Sequence, residues 1–95
     1  MPAYVIVDVN ITDPDRYEDY KKLAGPTVGQ FDGRYLARGG ATQVLEGNRN
    51  PGRVVVLEFP SADRAREWWG SEEYAPAKKM RQAASETEMI LVEAV

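Results

Sequence analysis

The chain contains no cysteine and no histidine. The first absence removes disulfide staples, thiolate metal sites and cysteine nucleophiles together. The second removes a histidine-held haem, the usual zinc and non-haem iron ligand sets, and a Ser-His-Asp triad. Any chemistry is left to carboxylates, tyrosines, lysines, arginines and the N-terminus, and no metal or cofactor is implied. An excess of positive charge is missing too: 12 basic residues face 15 acidic ones, the net charge is −3, and the signs are interspersed. That balance argues against a nucleic-acid partner. No apolar run nears the roughly 18 residues that suggest a membrane span. The opening MPAYVIVDVN lacks the basic lead and cleavage site of a secretory signal. The expectation is a soluble, cytoplasmic protein, with residues 1–95 forming one domain. A chain this short buries a modest fraction of its surface and often gains stability by self-association.

What is present is clear punctuation. Ala3 to Asn10 is rich in Val, Ile and Tyr, which suit a pleated surface. Asp13-Pro14-Asp15 supplies a cap, a proline at the first helical position and an acid at the positive end of the helix dipole. Tyr17, Tyr20 and Leu23 or Ala24 recur at helical spacing. Gly25-Pro26 is expected to interrupt this helix, which resumes through Phe31 and ends at Asp32-Gly33. A second strand starts near Arg34, is loosened by Gly39-Gly40, and continues to Glu46. The turn Gly47 to Gly52 then brings Glu46 opposite Arg53 and Val44 opposite Val55. Strand three is Arg53 to Phe59.

Ser61 caps the next helix, Gly70 breaks it, and Ser71-Glu72-Glu73 restarts it. Trp68, Trp69, Tyr74, Ala77 and Met80 fall on its inner side, as core or as the mouth of an apolar ligand site. Thr87 to Val95 is the final strand. The order β-α-β-β-α-β predicts an α+β ferredoxin-like fold, a four-stranded antiparallel sheet with the helices on one face.

Period-two alternation splits each strand into two sets. Val5, Val7, Val9, Val55, Leu57, Phe59, Ile90, Val92 and Ala94 are assigned to the side under the helices. Tyr4, Ile6, Asp8, Val54, Val56, Glu58, Met89, Leu91 and Glu93 form the other side, too apolar for a solvated sheet face. One chain has no element left to cover it, so a second copy is expected to do so. Two sheets packed face to face would enclose a barrel-like space.

Asp8 and Glu58, on strands read here as parallel neighbours, are expected to approach each other in that space as an acid/base pair. The competing reading neutralises them with Arg34 or Arg38 in structural ion pairs. Arg38, just before Gly39-Gly40, is a candidate for bidentate capture of a ligand carboxylate. The ligand-binding candidates are therefore Tyr4, Asp8, Arg38 and Glu58, with Glu58 and Asp8 the catalytic candidates.

The segments AYVIVDVNITDPDRYEDY, GRYLARGG, VLEG, RVVVLEFPS, WWGSEEY and EMILVEA, taken as an ordered set, resemble domain-of-unknown-function family 1330. This is a group of small bacterial proteins in the dimeric α+β barrel superfamily. The family commonly shows Ser-Pro-Glu-Tyr where this chain has Ser71-Glu72-Glu73-Tyr74. The resemblance implies a homodimer of ferredoxin-like protomers and no particular activity. Superfamily relatives include cofactor-free monooxygenases, muconolactone isomerases, haem enzymes and effector-binding domains, and fold alone transfers none of these. Three functions follow. The first is a dimer binding a small carboxylate or aromatic metabolite between its sheets. The second is a cofactor-independent monooxygenase or isomerase using a barrel carboxylate. The third is a non-catalytic dimeric interaction module.

Overall fold

The computed structural model describes residues 1–95 and runs β1 (Ala3–Ile11), α1 (Pro14–Gln30), β2 (Arg34–Arg38), β3 (Arg53–Phe59), α2 (Ala62–Trp69), α3 (Ala75–Ala84) and β4 (Ser85–Glu93). The four strands form one sheet in the order β2-β3-β1-β4, with every neighbouring pair antiparallel. The helices lie on one side of it, giving the ferredoxin-like arrangement, with α2 and α3 together filling the place of the second crossover helix.

Local chemistry explains most boundaries. The Asp13 side chain accepts from the Arg16 backbone N–H at 3.2 Å, with Pro14 behind it in the first turn. The Ser61 hydroxyl accepts from the Arg64 N–H at 3.1 Å and starts α2. The expected break at Gly25-Pro26 does not occur: α1 is continuous through Pro26. A proline removes one ladder bond, yet Ala24, Thr27 and Val28 on either side of it are buried. The helix is held to the core on both sides of the defect. Asp32 then takes a positive φ of 64°, and Gly33 packs so tightly that a Cβ there would sit 2.5 Å from the Phe59 ring.

The second strand is shorter than expected. Its irregularity falls between Tyr35 and Ala37, and pairing stops at Arg38. Gly39 adopts a φ of 72° and its N–H makes a bond to the Val54 carbonyl at 2.9 Å. That left-handed turn steers the chain out of the ladder. Glu46 therefore does not pair with Arg53, Val44 does not meet Val55, and Leu45 is 91% exposed.

Val5, Val7, Val9, Val55, Leu57 and Phe59 are buried beneath Tyr17, Ala24, Val28, Ala65, Trp68, Tyr74 and Ala77. Trp68 anchors this layer, 5.4 Å from the Phe59 ring and 4.2 Å from the Tyr74 ring, centroid to centroid. Its indole N–H donates to the Thr27 hydroxyl at 3.0 Å, and that hydroxyl donates to the Ala24 carbonyl at 2.6 Å.

In β4 the sides are the reverse of those expected. Val7 pairs with Met89 and Val5 with Leu91, which puts Thr87, Met89 and Leu91 on the helix side. Glu88, Ile90 and Val92 face the other way. The run Met89-Ile90-Leu91-Val92 is apolar throughout, so it carries no alternation from which its parity can be read.

Candidate functional site

Two places deserve comparison: the bare side of the sheet, and a recess under the helices. The bare side carries Tyr4, Ile6 and Asp8 from β1, Val54, Val56 and Glu58 from β3, and Ile90 and Val92 from β4. Ile6 is 37% exposed, Ile90 60% and Val92 42%.

Asp8 and Glu58 do not approach each other. Strands β1 and β3 are antiparallel, not parallel, so Glu58 lies opposite Tyr4 while Asp8 lies opposite Val54. Four residues along a strand separate the two carboxylates by about 13 Å. Each has its own arginine. Glu58 Oε1 accepts from Arg34 at 2.9 Å from Nε and 2.8 Å from Nη2. Asp8 accepts from the Gly52 backbone N–H at 2.9 Å and is ion-paired with Arg49. The Gly52 N–H first, and the Arg49 guanidinium second, hold the Asp8 carboxyl below its usual range. The arrangement therefore favours two separate structural ion pairs over a shared proton. Arg34 is one of the partners the sequence offers these carboxylates; Arg49 lies in the turn from Gly47 to Gly52, where no sequence pattern marks it.

Arg38 is on the opposite side of the sheet from both carboxylates. It registers with Val55, a helix-side residue, and its guanidinium lies 4.3 Å from the centre of the Tyr35 ring. It therefore does not share a face of the sheet with Asp8 and Glu58. Tyr4 is on the same bare side as the two carboxylates, half-buried across from Glu58. Gln43 to Glu46, with Arg49 and Pro51, border the Asp8 end of the bare side, where they and Ile6, Asp8 and Val54 bound a shallow depression of about 390 Å³.

The recess has a different character. It measures about 670 Å³ and lies between α2, α3 and β4, one of the two edge strands. Trp68 and Trp69 come from α2, Arg81 and Gln82 from α3, and Ser85, Thr87, Met89 and Leu91 from β4. Of the aromatic trio, Trp68 and Tyr74 are core, whereas Trp69 is 47% exposed with the Lys78 ammonium 3.9 Å from its ring centre. Arg81 Nε donates to the Tyr74 hydroxyl at 3.3 Å, and that hydroxyl lies 3.1 Å from the Tyr20 hydroxyl. Burial pushes the Tyr20 phenol far above its ordinary value, so it stays protonated and cannot serve as a base. The inner stripe of α3 is Tyr74, Ala77, Arg81 and Ala84, with Met80 only half-buried. The spacing 74, 77, 81, 84 was visible in the sequence; an arginine at one of its core positions was the overlooked signal.

A family model described as Domain of unknown function (DUF1330) matches residues 2–95. The chain belongs to the DUF1330 family. No curated protein matches this DUF1330 chain. Among solved structures, it is similar to RPA0582, a protein of unknown function from Rhodopseudomonas palustris, at 21% identity and a TM-score of 0.82, covering 99% of this chain and 82% of that one. A dimeric ferredoxin-like protein of unknown function from Jannaschia sp. CCS1 matches at 12% identity and a TM-score of 0.74, covering 99% and 100% of the two chains. SnoaB, a cofactor-independent oxygenase from Streptomyces nogalater, matches at 14% identity and a TM-score of 0.67, covering 99% and 93%. At these identities the likeness between the DUF1330 chain and each structure establishes the fold alone. No helix is long and apolar enough to cross a membrane.

Proposed function

We propose that the protein is a homodimer that binds a small molecule, with the second copy laid against the bare side of the sheet. One observation carries this reading. Ile6, Val54, Val56, Ile90 and Val92 lie on one continuous face, three of them more than a third exposed, and no helix of the chain packs there. Uncovered apolar area of this kind is the usual mark of an interaction surface. A twofold-related copy offers the same surface in return. The dimeric Jannaschia protein, with the same fold, supports this choice of partner.

The guest of the enclosed space is a small carboxylate or aromatic metabolite. Tyr4 and the Glu58–Arg34 pair line it at one end and the Asp8–Arg49 pair at the other. Oxygenase or isomerase chemistry through Glu58 or Asp8 is the weaker alternative, because each carboxylate is tied to an arginine and Asp8 is a weakened base. The cysteine-free composition supports a cytoplasmic setting.

Sedimentation of the purified protein at micromolar concentration tests the assembly. The expected species is a dimer, and Ile90→Glu is expected to yield a folded monomer. A wild-type monomer that persists at high concentration overturns the assembly. Native mass spectrometry of the dimer after incubation with mixed aromatic carboxylates tests the guest. Failure to retain any of them leaves a non-catalytic interaction module as the surviving description.

A further inference from the structure

We propose that the recess between α2, α3 and β4 is a binding site for an amphipathic organic anion, an aromatic carboxylate being the type, with the Arg81 guanidinium as its anchor. This site goes beyond the space between the sheets. Its lining is drawn from α2, α3 and the helix side of the sheet, apart from Ile90, which reaches it from the bare side.

Arg81 is the buried arginine of the chain, 5% exposed. Arg16, Arg34, Arg49, Arg64 and Arg66 each have a carboxylate within ion-pairing distance. Arg38 and Arg53 have none, but they are less buried and lie over the Tyr35 and Tyr17 rings. Arg81 has neither a carboxylate nor a ring beneath it. Its protein partner is the Tyr74 hydroxyl, reached by Nε. No fully buried side-chain nitrogen or oxygen in the molecule lacks a partner. Nη1 and Nη2, which have no partner in the chain, therefore keep some exposure, and Arg81 is among the residues lining the recess.

Burying a cation without a counter-charge is costly, and an arriving anion offsets that cost. The guanidinium edge left open by Tyr74 presents parallel N–H groups, the arrangement that fits a carboxylate. No acidic residue lines the recess to compete for it. Thr87, whose hydroxyl lies 2.9 Å from that of Ser85, adds a polar group to the same lining. Trp69, Met89 and Leu91 provide an apolar wall for the rest of the ligand. A volume of about 670 Å³ falls within the usual range for small-molecule pockets.

Tryptophan fluorescence titration with 2-naphthoate and its uncharged counterpart 2-naphthamide tests the proposal, since Trp68 and Trp69 both line the site. The wild-type protein is expected to prefer naphthoate by tenfold or more. Arg81→Met should abolish the preference, and Arg81→Lys should keep part of it. Equal affinity of the wild type for both probes, or no saturable binding of naphthoate, overturns the site without requiring any variant to fold. Preference that survives Arg81→Met overturns it as well. If instead Arg34→Met abolishes the preference and Arg81→Met does not, the anion sits between the sheets; that result sustains the dimer chamber and removes the recess.

Discussion

The aliphatic residues on the two sides of the sheet are of nearly the same types and reach opposite outcomes. On the helix side Val5, Val7, Leu57 and Phe59 are at most 5% exposed; on the other, Ile6, Ile90 and Val92 range from 37% to 60%. Side-chain chemistry does not separate them. What separates them is whether the chain has an element left to lay on top. Ninety-five residues supply one helical layer and no second. Apolarity without cover is thus a statement about assembly, whereas apolarity with cover is a statement about folding.

Substitutions on the two sides should therefore read out differently. Phe59→Ala, at a fully buried ring, should cost about 3–5 kcal/mol in urea unfolding. Ile90→Ala, on the exposed side, should cost under about 1 kcal/mol when the protein is dilute enough to be monomeric. Equal losses at the two positions would erase the contrast. Thr27→Val probes a polar link inside the covered layer, leaving the Trp68 indole N–H without its acceptor. The expected loss is about 1–3 kcal/mol, again by urea unfolding, and an unchanged midpoint would show that the link is dispensable.

Effects on the ion pairs of the bare side should be smaller. Arg34→Ala removes an arginine that is 69% exposed at its side chain, and about 0–1 kcal/mol is expected. A larger loss would mean that the pair is desolvated by a bound copy. The smallest effect is local and depends on pH. Asp8 has a folded-state pKa below its ordinary value. Its tie to Gly52 and Arg49 is thus fully present above the unfolded value of about 3.9 and is lost as pH falls through the lower folded value. The amide protection factor of Gly52, measured by NMR hydrogen exchange, should hold from pH 7 to pH 5 and fall below about pH 4. A factor unchanged down to pH 2 would show that the carboxylate does not hold the segment.

Much of the fold was legible because its signals were local. Asp13-Pro14 and Ser61 start helices through contacts within three residues, and β1 and β3 alternate cleanly. The misreadings have physical causes. Pro26 looked like a stop, but burial on both sides of it overrode the lost bond. Gly39 looked like a pause within a strand, and its positive φ made it an exit. The apolar run in β4 had no parity to read, so its two sides were exchanged. Site residues were harder still. The separation of Asp8 from Glu58 depends on strand direction. The role of Arg49 depends on where residues outside the ladder settle. Arg81 occupies a core position by spacing alone, and a charged letter there reads as solvent-facing until the packing is known.

The recess is walled by a single protomer, and this sets a stoichiometry. A symmetric pair carries two such sites, so a titration saturates at one equivalent per chain. A single guest lying on the twofold axis of the chamber would be shared, one for every two chains. Counting equivalents at saturation separates the two locations before any residue is changed.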